Sequence, residues 1–263
     1  MTARADTRAV VRFRPARSHG FRTLLQTELK LFVREPMLLF WGLGFPVILL
    51  VVLGVAGPKR PERALGGVKF IVVYTPVVIM LILTVLSLSA LPAALASYRD
   101  KGYLRRLSTT PVGASRLLAA QIAIDLALEA VAVVLILMIA RFGFSVPLPQ
   151  QFGGFLLAIV LTMSAMLGFG VLIAAVAPNQ RVAAGIGSLL LFPLMFFAGL
   201  WVPQAEMGAG LRDVSHYTPL GAAAAAVQNA IDGHWPGSVH LLVLAGYAVV
   251  LCALAVRFFR WER

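Results

Sequence analysis

What constrains this chain most is a series of apolar runs, several of them longer than the roughly 18 residues that let a helix cross a bilayer. Residues 37–56 and 70–97 contain no charged side chain. One soluble core cannot absorb them. The composition agrees: 60% of the residues are hydrophobic and 13% are charged, where a soluble domain carries about 25% charged. The expected fold is an all-α integral membrane protein with six transmembrane helices. They fall at about residues 37–56, 70–91 continuing towards 97, 117–140, 152–177, 182–200 and 239–256.

The charges sort the chain against the membrane. Arg4, Arg8, Arg12, Arg14 and Arg17 stand in residues 1–20, read as a disordered basic tail ahead of a single membrane domain at residues 21–263. The first apolar run lacks a small-residue cleavage pattern, so it reads as a retained span and not a signal peptide. Before it, Phe21, Leu24, Leu25 and Phe32 fall near one helical face, while Arg22, Glu28 and Lys30 lie elsewhere. A segment so charged does not span. It reads as an amphipathic helix lying in the interface, separated from the first span by Glu35 and Pro36. Residues 98–116 are the most basic interval between spans, with Arg99, Lys101, Arg105, Arg106 and Arg116. Tyr103, Leu104 and Leu107 add an apolar ridge at helical spacing beside those cations. In a six-span topology this interval, Arg181 and both termini share one side, and the other side keeps fewer cations. The positive-inside bias therefore places both termini in the cytoplasm. It also accounts for the net charge of +12 without a nucleic-acid partner.

Inside the spans, Gly42 and Gly44, and then Ala183 and Gly187, are small residues of the kind that let helices approach closely in lipid. Pro46, Pro76 and Pro92 mark places to bend, with Thr75 and Ser87 near to satisfy freed backbone groups. Between the fifth and sixth spans, residues 204–237 are neither apolar enough to cross nor polar enough for a free loop. They read as short half-inserted outer helices, one of them over residues 220–231 and ended by Gly233. Gln228 and Asn229 on it read as a solvated face or the lining of an outer vestibule. Asp125 and Glu129 are four apart in the third span and share a helical face. Intramembrane carboxylates face a bundle interior or a watery cavity. One reading is a cation or proton site; the other is a structural pair satisfied by Gln121 or by a loop cation such as Arg116. Several chemistries are missing. No lysine stands in a G-K-[ST] phosphate loop, and neither H-E-x-x-H nor G-x-S-x-G occurs. His19, His216, His234 and His240 follow no metal-ligand spacing, and His234 and His240 read as interface residues. Cys252 is the single cysteine.

With these residues on the page, the chain resembles the permease subunits of ABC type-two exporters. The likeness is carried by V-R-E-P at 33–36, by Y-R-D-K-G-Y-L-R-R-L-S-T-T-P-V-G-A-S-R at 98–116, by F-F-A-G-L-W-V-P-Q-A-E-M at 196–207 and by Y-T-P-L-G-A-A-A-A-A-V-Q-N-A-I-D-G at 217–233. It is similar above all to the daunorubicin-resistance drug-export permeases. One departure is the absence of the arginine that family often carries near Gln228 and Asn229. The resemblance implies a transport subunit with no ATPase site of its own and no cofactor bound by this chain, ATP and Mg being held by a separate ABC ATPase subunit. Two permeases, identical or homologous, and two ATPases would form the unit in the cell membrane. It would move an amphipathic drug-like molecule, lipid or glycolipid outward. Tyr98, Arg99, Lys101, Tyr103, Leu104, Arg105, Arg106 and Leu107, with Phe21, Leu24, Leu25, Glu28 and Phe32 of the interfacial helix, would receive the ATPase. Gly42, Gly44, Ala183 and Gly187 would lie at the permease interface. The rival reading is an ion-coupled secondary transporter or channel built on Asp125 and Glu129.

Overall fold

The computed structural model describes residues 34, 36–61, 67–100 and 114–258. Among these residues the chain is helical, with no strand. In order, the elements are α1 (Pro36–Leu39), a first π turn (Phe40–Gly44), α2 (Phe45–Ala56), α3 (Phe70–Val85), a second π turn (Leu86–Ala90) and α4 (Leu91–Asp100). Then come α5 (Ala114–Phe144), α6 (Phe152–Val176), α7 (Gln180–Ala198), a 3-10 turn (Gln204–Glu206), α8 (Ala209–Tyr217), α9 (Pro219–Ile231) and α10 (Ser238–Phe258).

Among the described residues, five helices are long and apolar enough to cross a membrane: Phe70–Tyr98, Leu117–Phe144, Phe152–Val176, Gln180–Ala198 and Ser238–Phe258. The first expected span is a shorter apolar helix, Phe40–Ala56. With α1 directly before it, helical structure runs over residues 36–56, about 31 Å at the usual rise per residue. That is close to the roughly 30 Å of a hydrocarbon core. The second span extends through residue 98 because a π turn absorbs the proline at 92. The third continues past Arg141 to Phe144.

The α3–α4 helix is the post around which the others stand. Of its most apolar stretch 89% is buried, against 28% for α7 and 17% for α10. A helix apolar on every side belongs in a core, and α2, α5, α6, α7 and α9 all pack on this one. Pro46 and Pro92 each follow a π turn by two residues. Proline has no N–H to close an ordinary turn. The wider turn before it re-pairs the ladder, as where the Phe45 N–H donates to the Phe40 carbonyl five residues back.

The helix ends follow local chemistry. The Asn179 side chain accepts from the Val182 N–H at 2.9 Å and starts α7. Gly199, at φ 95°, ends it in a left-handed conformation that a side chain would resist. The outer stretch then folds into α8 and α9. At 13 residues, about 20 Å, α9 is too short to cross. Its alanines Ala222, Ala223, Ala226 and Ala230 are buried, so its backbone lies close against α6, α7, α10 and α3. Gln204 ties this region to the end of α7. Its Nε2, with two hydrogens to share, lies within hydrogen-bond reach of the Phe197 carbonyl (3.0 Å), the Gly221 carbonyl (3.0 Å) and Ser215 Oγ (2.8 Å). Ser215 Oγ in turn donates to the Phe197 carbonyl at 2.7 Å, and Thr218 Oγ1 donates to the Ser215 carbonyl at 2.7 Å while accepting from the Gly221 N–H at 3.2 Å.

Candidate functional site

Among the described residues, the buried carboxylates inside the bundle lie along one seam, between α5 and the post. On α5, Gln121, Asp125 and Glu129 recur every four residues, so they rise along one face. That face also carries Leu117, Ile124, Ala132 and Ile136, all buried. Asp125 is 4% exposed and Glu129 0%. The opposing chain supplies Ser87, in the second π turn, and Tyr98, in the last turns of α4. Ser87 Oγ donates to Glu129 Oε1 at 2.5 Å, and Gln121 Nε2 donates to the Tyr98 hydroxyl at 3.4 Å.

The seam is short of donors. Asp125 Oδ2 and Glu129 Oε2 are buried and accept no hydrogen bond. Buried polar atoms in folded proteins are nearly always paired, and a carboxylate in a bilayer interior is costly. Of the two structural partners weighed from the sequence, Gln121 lies on the same face and is turned to Tyr98, while the side chain of Arg116 is outside the described residues.

The π turn that carries Ser87 is itself held by glycines. A Cβ at Gly170 of α6 would overlap the Ser87 carbonyl, and one at Gly187 of α7 would overlap the Leu88 carbonyl. A Cβ at Gly42, in the first π turn, would stand 2.9 Å from Leu86 Cδ2, in the second. Thus both π turns, α6 and α7 meet beside the carboxylates. Ala183 and Gly187 are buried, and Gly187 is spent on contact with the same chain's post. Gly42 is buried against Leu86 in the same way, and Gly44 is half-buried with Phe40 as its near neighbour.

Other expected site residues fall elsewhere. Tyr98 is half-buried and faces Gln121. Lys101, Tyr103, Leu104, Arg105, Arg106 and Leu107 lie outside the described residues, as do Phe21, Leu24, Leu25, Glu28, Phe32 and the side chain of Arg99. Gln228 is half-buried and donates to both oxygens of Asp232, at 3.0 and 3.2 Å. His240 is not simply an interface residue: its Nε2 lies 2.9 Å from Nδ1 of His216, a contact that ties α10 to α8. Among the described residues no group of three or more metal-binding side chains forms. Sequence reasoning missed Ser87 as a partner of Glu129 and Gly170 as a contact of the π turn. Their signals were present, a serine five residues before a proline and a small residue within a span, but the register between spans was not.

At the C-terminal end of α7 lies a second feature, an open groove of about 430 Å³ lined by Phe192, Pro193, Phe196, Phe197 and Trp201. Phe192 and Trp201 stack at 6.0 Å between ring centroids and are 61% and 50% exposed.

No curated protein matches the chain. Among family models, the one described as ABC-2 type transporter matches residues 19–231, a stretch that takes in the shorter first helix, four of the five long spans and the outer helices α8 and α9. A bundle of apolar helices around a buried post, with short outer helices inserted before the last span, is thus the membrane domain of an ABC-type transporter, and the chain belongs to the ABC-2 type transporter family.

Proposed function

We propose that this chain is the transmembrane subunit of an ATP-driven exporter, powered by a separate ABC ATPase and assembled with a second permease in the cell membrane, both termini cytoplasmic. The observation that carries the reading is the family match across residues 19–231 in a sequence with no G-K-[ST] loop. ATP and Mg belong to the partner. The basic interval with Arg105 and Arg106 is the surface that receives the ATPase, because it combines cytoplasmic charge with an apolar ridge at 103, 104 and 107. An amphipathic cargo, a drug-like molecule, lipid or glycolipid, fits the open aromatic groove at the outer end of α7, where an apolar body meets the polar interface. The drug-like class of cargo follows from the resemblance to the daunorubicin-resistance permeases.

The test is export by the chain co-expressed with its ATPase. Replacing Arg105→Glu together with Arg106→Glu is expected to abolish coupled export with membrane insertion unchanged; normal export in that variant overturns the docking surface. Asp125→Asn is expected to retain ATP-dependent export. Complete loss of transport with unchanged assembly would instead favour an ion-coupled carrier built on Asp125 and Glu129.

A further inference from the structure

We infer that Asp125 and Glu129 form an intramembrane site for a small monovalent cation, either a proton or an alkali-metal ion. The carboxyl groups come from one helix face four residues apart, which sets their Cβ atoms about 5–6 Å apart. The acidic pair alone would be no more than a buried cluster. The second observation is that two of its oxygens, Asp125 Oδ2 and Glu129 Oε2, are buried and unpartnered on side chains at least nine-tenths enclosed. A serine hydroxyl has one hydrogen, and Ser87 spends it on Glu129 Oε1. No further donor from Ser87 is available to either orphan oxygen.

Among the described residues, the helices packed on this seam bring no cation to the carboxylates; α7, which meets the π turn, carries Arg181, exposed in its first turn. Residues 36–56 and 152–176, which form the first helix and α6, contain no ionisable side chain. The post and α4 carry Tyr74, Tyr98, Arg99 and Asp100. Tyr98 is engaged with Gln121. Arg99 stands 12 residues beyond Ser87 in sequence, about 18 Å along a helix axis, and Tyr74 lies 13 residues the other way. On α5 itself the remaining ionisable groups are Arg116 and Arg141, nine and twelve residues from the nearer carboxylate. Two adjacent carboxylates in a dry interior require positive charge, and here an ion must bring it. A proton needs only the two orphan oxygens. An alkali ion would use them with Ser87 Oγ, which its π turn presents to the pair. This site makes no claim on cargo or ATPase and stands or falls apart from the export reading.

The experiment is infrared difference spectroscopy on the full chain in lipid nanodiscs, titrated with acid and separately with sodium and lithium chloride. The expected result is a carbonyl band of a protonated carboxyl that is lost in Glu129→Gln and altered in Asp125→Asn, which identifies a proton. A carboxylate band pair that moves with sodium or lithium and is lost in the same variants identifies an alkali ion. Carbodiimide labelling of the wild-type chain, mapped by mass spectrometry, gives a readout that needs no variant: labelling at Asp125 or Glu129, or its suppression by sodium, supports the site. The inference is overturned if the carboxyl region answers to neither acid nor alkali ions and neither residue is labelled.

Discussion

Two polar junctions hold this bundle, and they are built on opposite terms. At the outer junction Gln204, Ser215 and Thr218 are all neutral, and their hydrogen bonds close on carbonyls near the ends of α7 and α8 and in the first turn of α9. At the inner junction Ser87, Asp125 and Glu129 include two ionisable groups and leave two oxygens unpaired. The outer one is what a chain needs to turn a short helix back into a membrane, where every backbone group must be paired internally. The inner one does not serve stability, since apolar residues of similar size would cost less there. It marks a place where something other than stability is retained.

The comparison breaks first at the glycines. Gly170→Val should disrupt the inner junction most, because its Cβ would overlap the Ser87 carbonyl. Overpacking of this kind costs about 3 kcal/mol, read as lost folded protein after heating in detergent. The corresponding change at an open position, Gly185→Val, has nothing within 4 Å and should leave stability near wild type.

Next is Gln204→Leu. It removes one donor group from two carbonyls and a hydroxyl, and should cost about 2 kcal/mol. If the outer junction is the structural one, protease cleavage between α7 and α9 rises in this variant. Glu129→Gln should do the reverse at the inner junction, with thermal stability unchanged or raised, since an amide removes a buried charge and brings its own donors. A large loss in Glu129→Gln would erase the distinction between the two junctions.

Much of this was legible before any coordinates. The spans declare themselves because lipid demands long apolar runs, and Asp125 with Glu129 stands out against them. Gly233, read as the end of the helix over 220–231, stands just past the end of α9 at a positive φ of 88°, whereas the caps at Asn179, Gly199 and Thr218 became clear only in the structure. The π turns were not legible. Pro46 and Pro92 mark a bend, but one extra residue in a turn leaves no trace in a uniformly apolar pattern. Nor was the register between helices. Nothing in the chain says that Ser87 meets Glu129, that Gly187 meets Leu88 of its own chain, or that His216 meets His240. In lipid, small residues advertise close approach without naming the partner.

A cycle isolates the inner contact. Ser87→Ala alone should cost about 1 kcal/mol, because Glu129 Oε1 loses its donor. In a Glu129→Leu background the same change should cost nearly nothing, since leucine has no oxygen to accept that hydrogen. Coupling of this sign in thermal unfolding assigns the Ser87 hydroxyl to the carboxylate. Additive effects would mean that Ser87 serves its own helix.

The smallest effect belongs to the histidines, a third contact that resembles the outer junction in one respect and the inner in another. It closes α8 on α10, yet it is ionisable. His240 Nε2 and His216 Nδ1 at 2.9 Å need one hydrogen and one bare nitrogen between them. The rings lie 4.9 Å apart between centroids. The contact is worth about 0.5–1 kcal/mol. His216→Ala should cost that much and speed hydrogen exchange in α8, with exchange in α5 unchanged. His240→Ala should do the same, and the double variant should cost no more than either single one. Additive losses would mean that each ring serves its own helix.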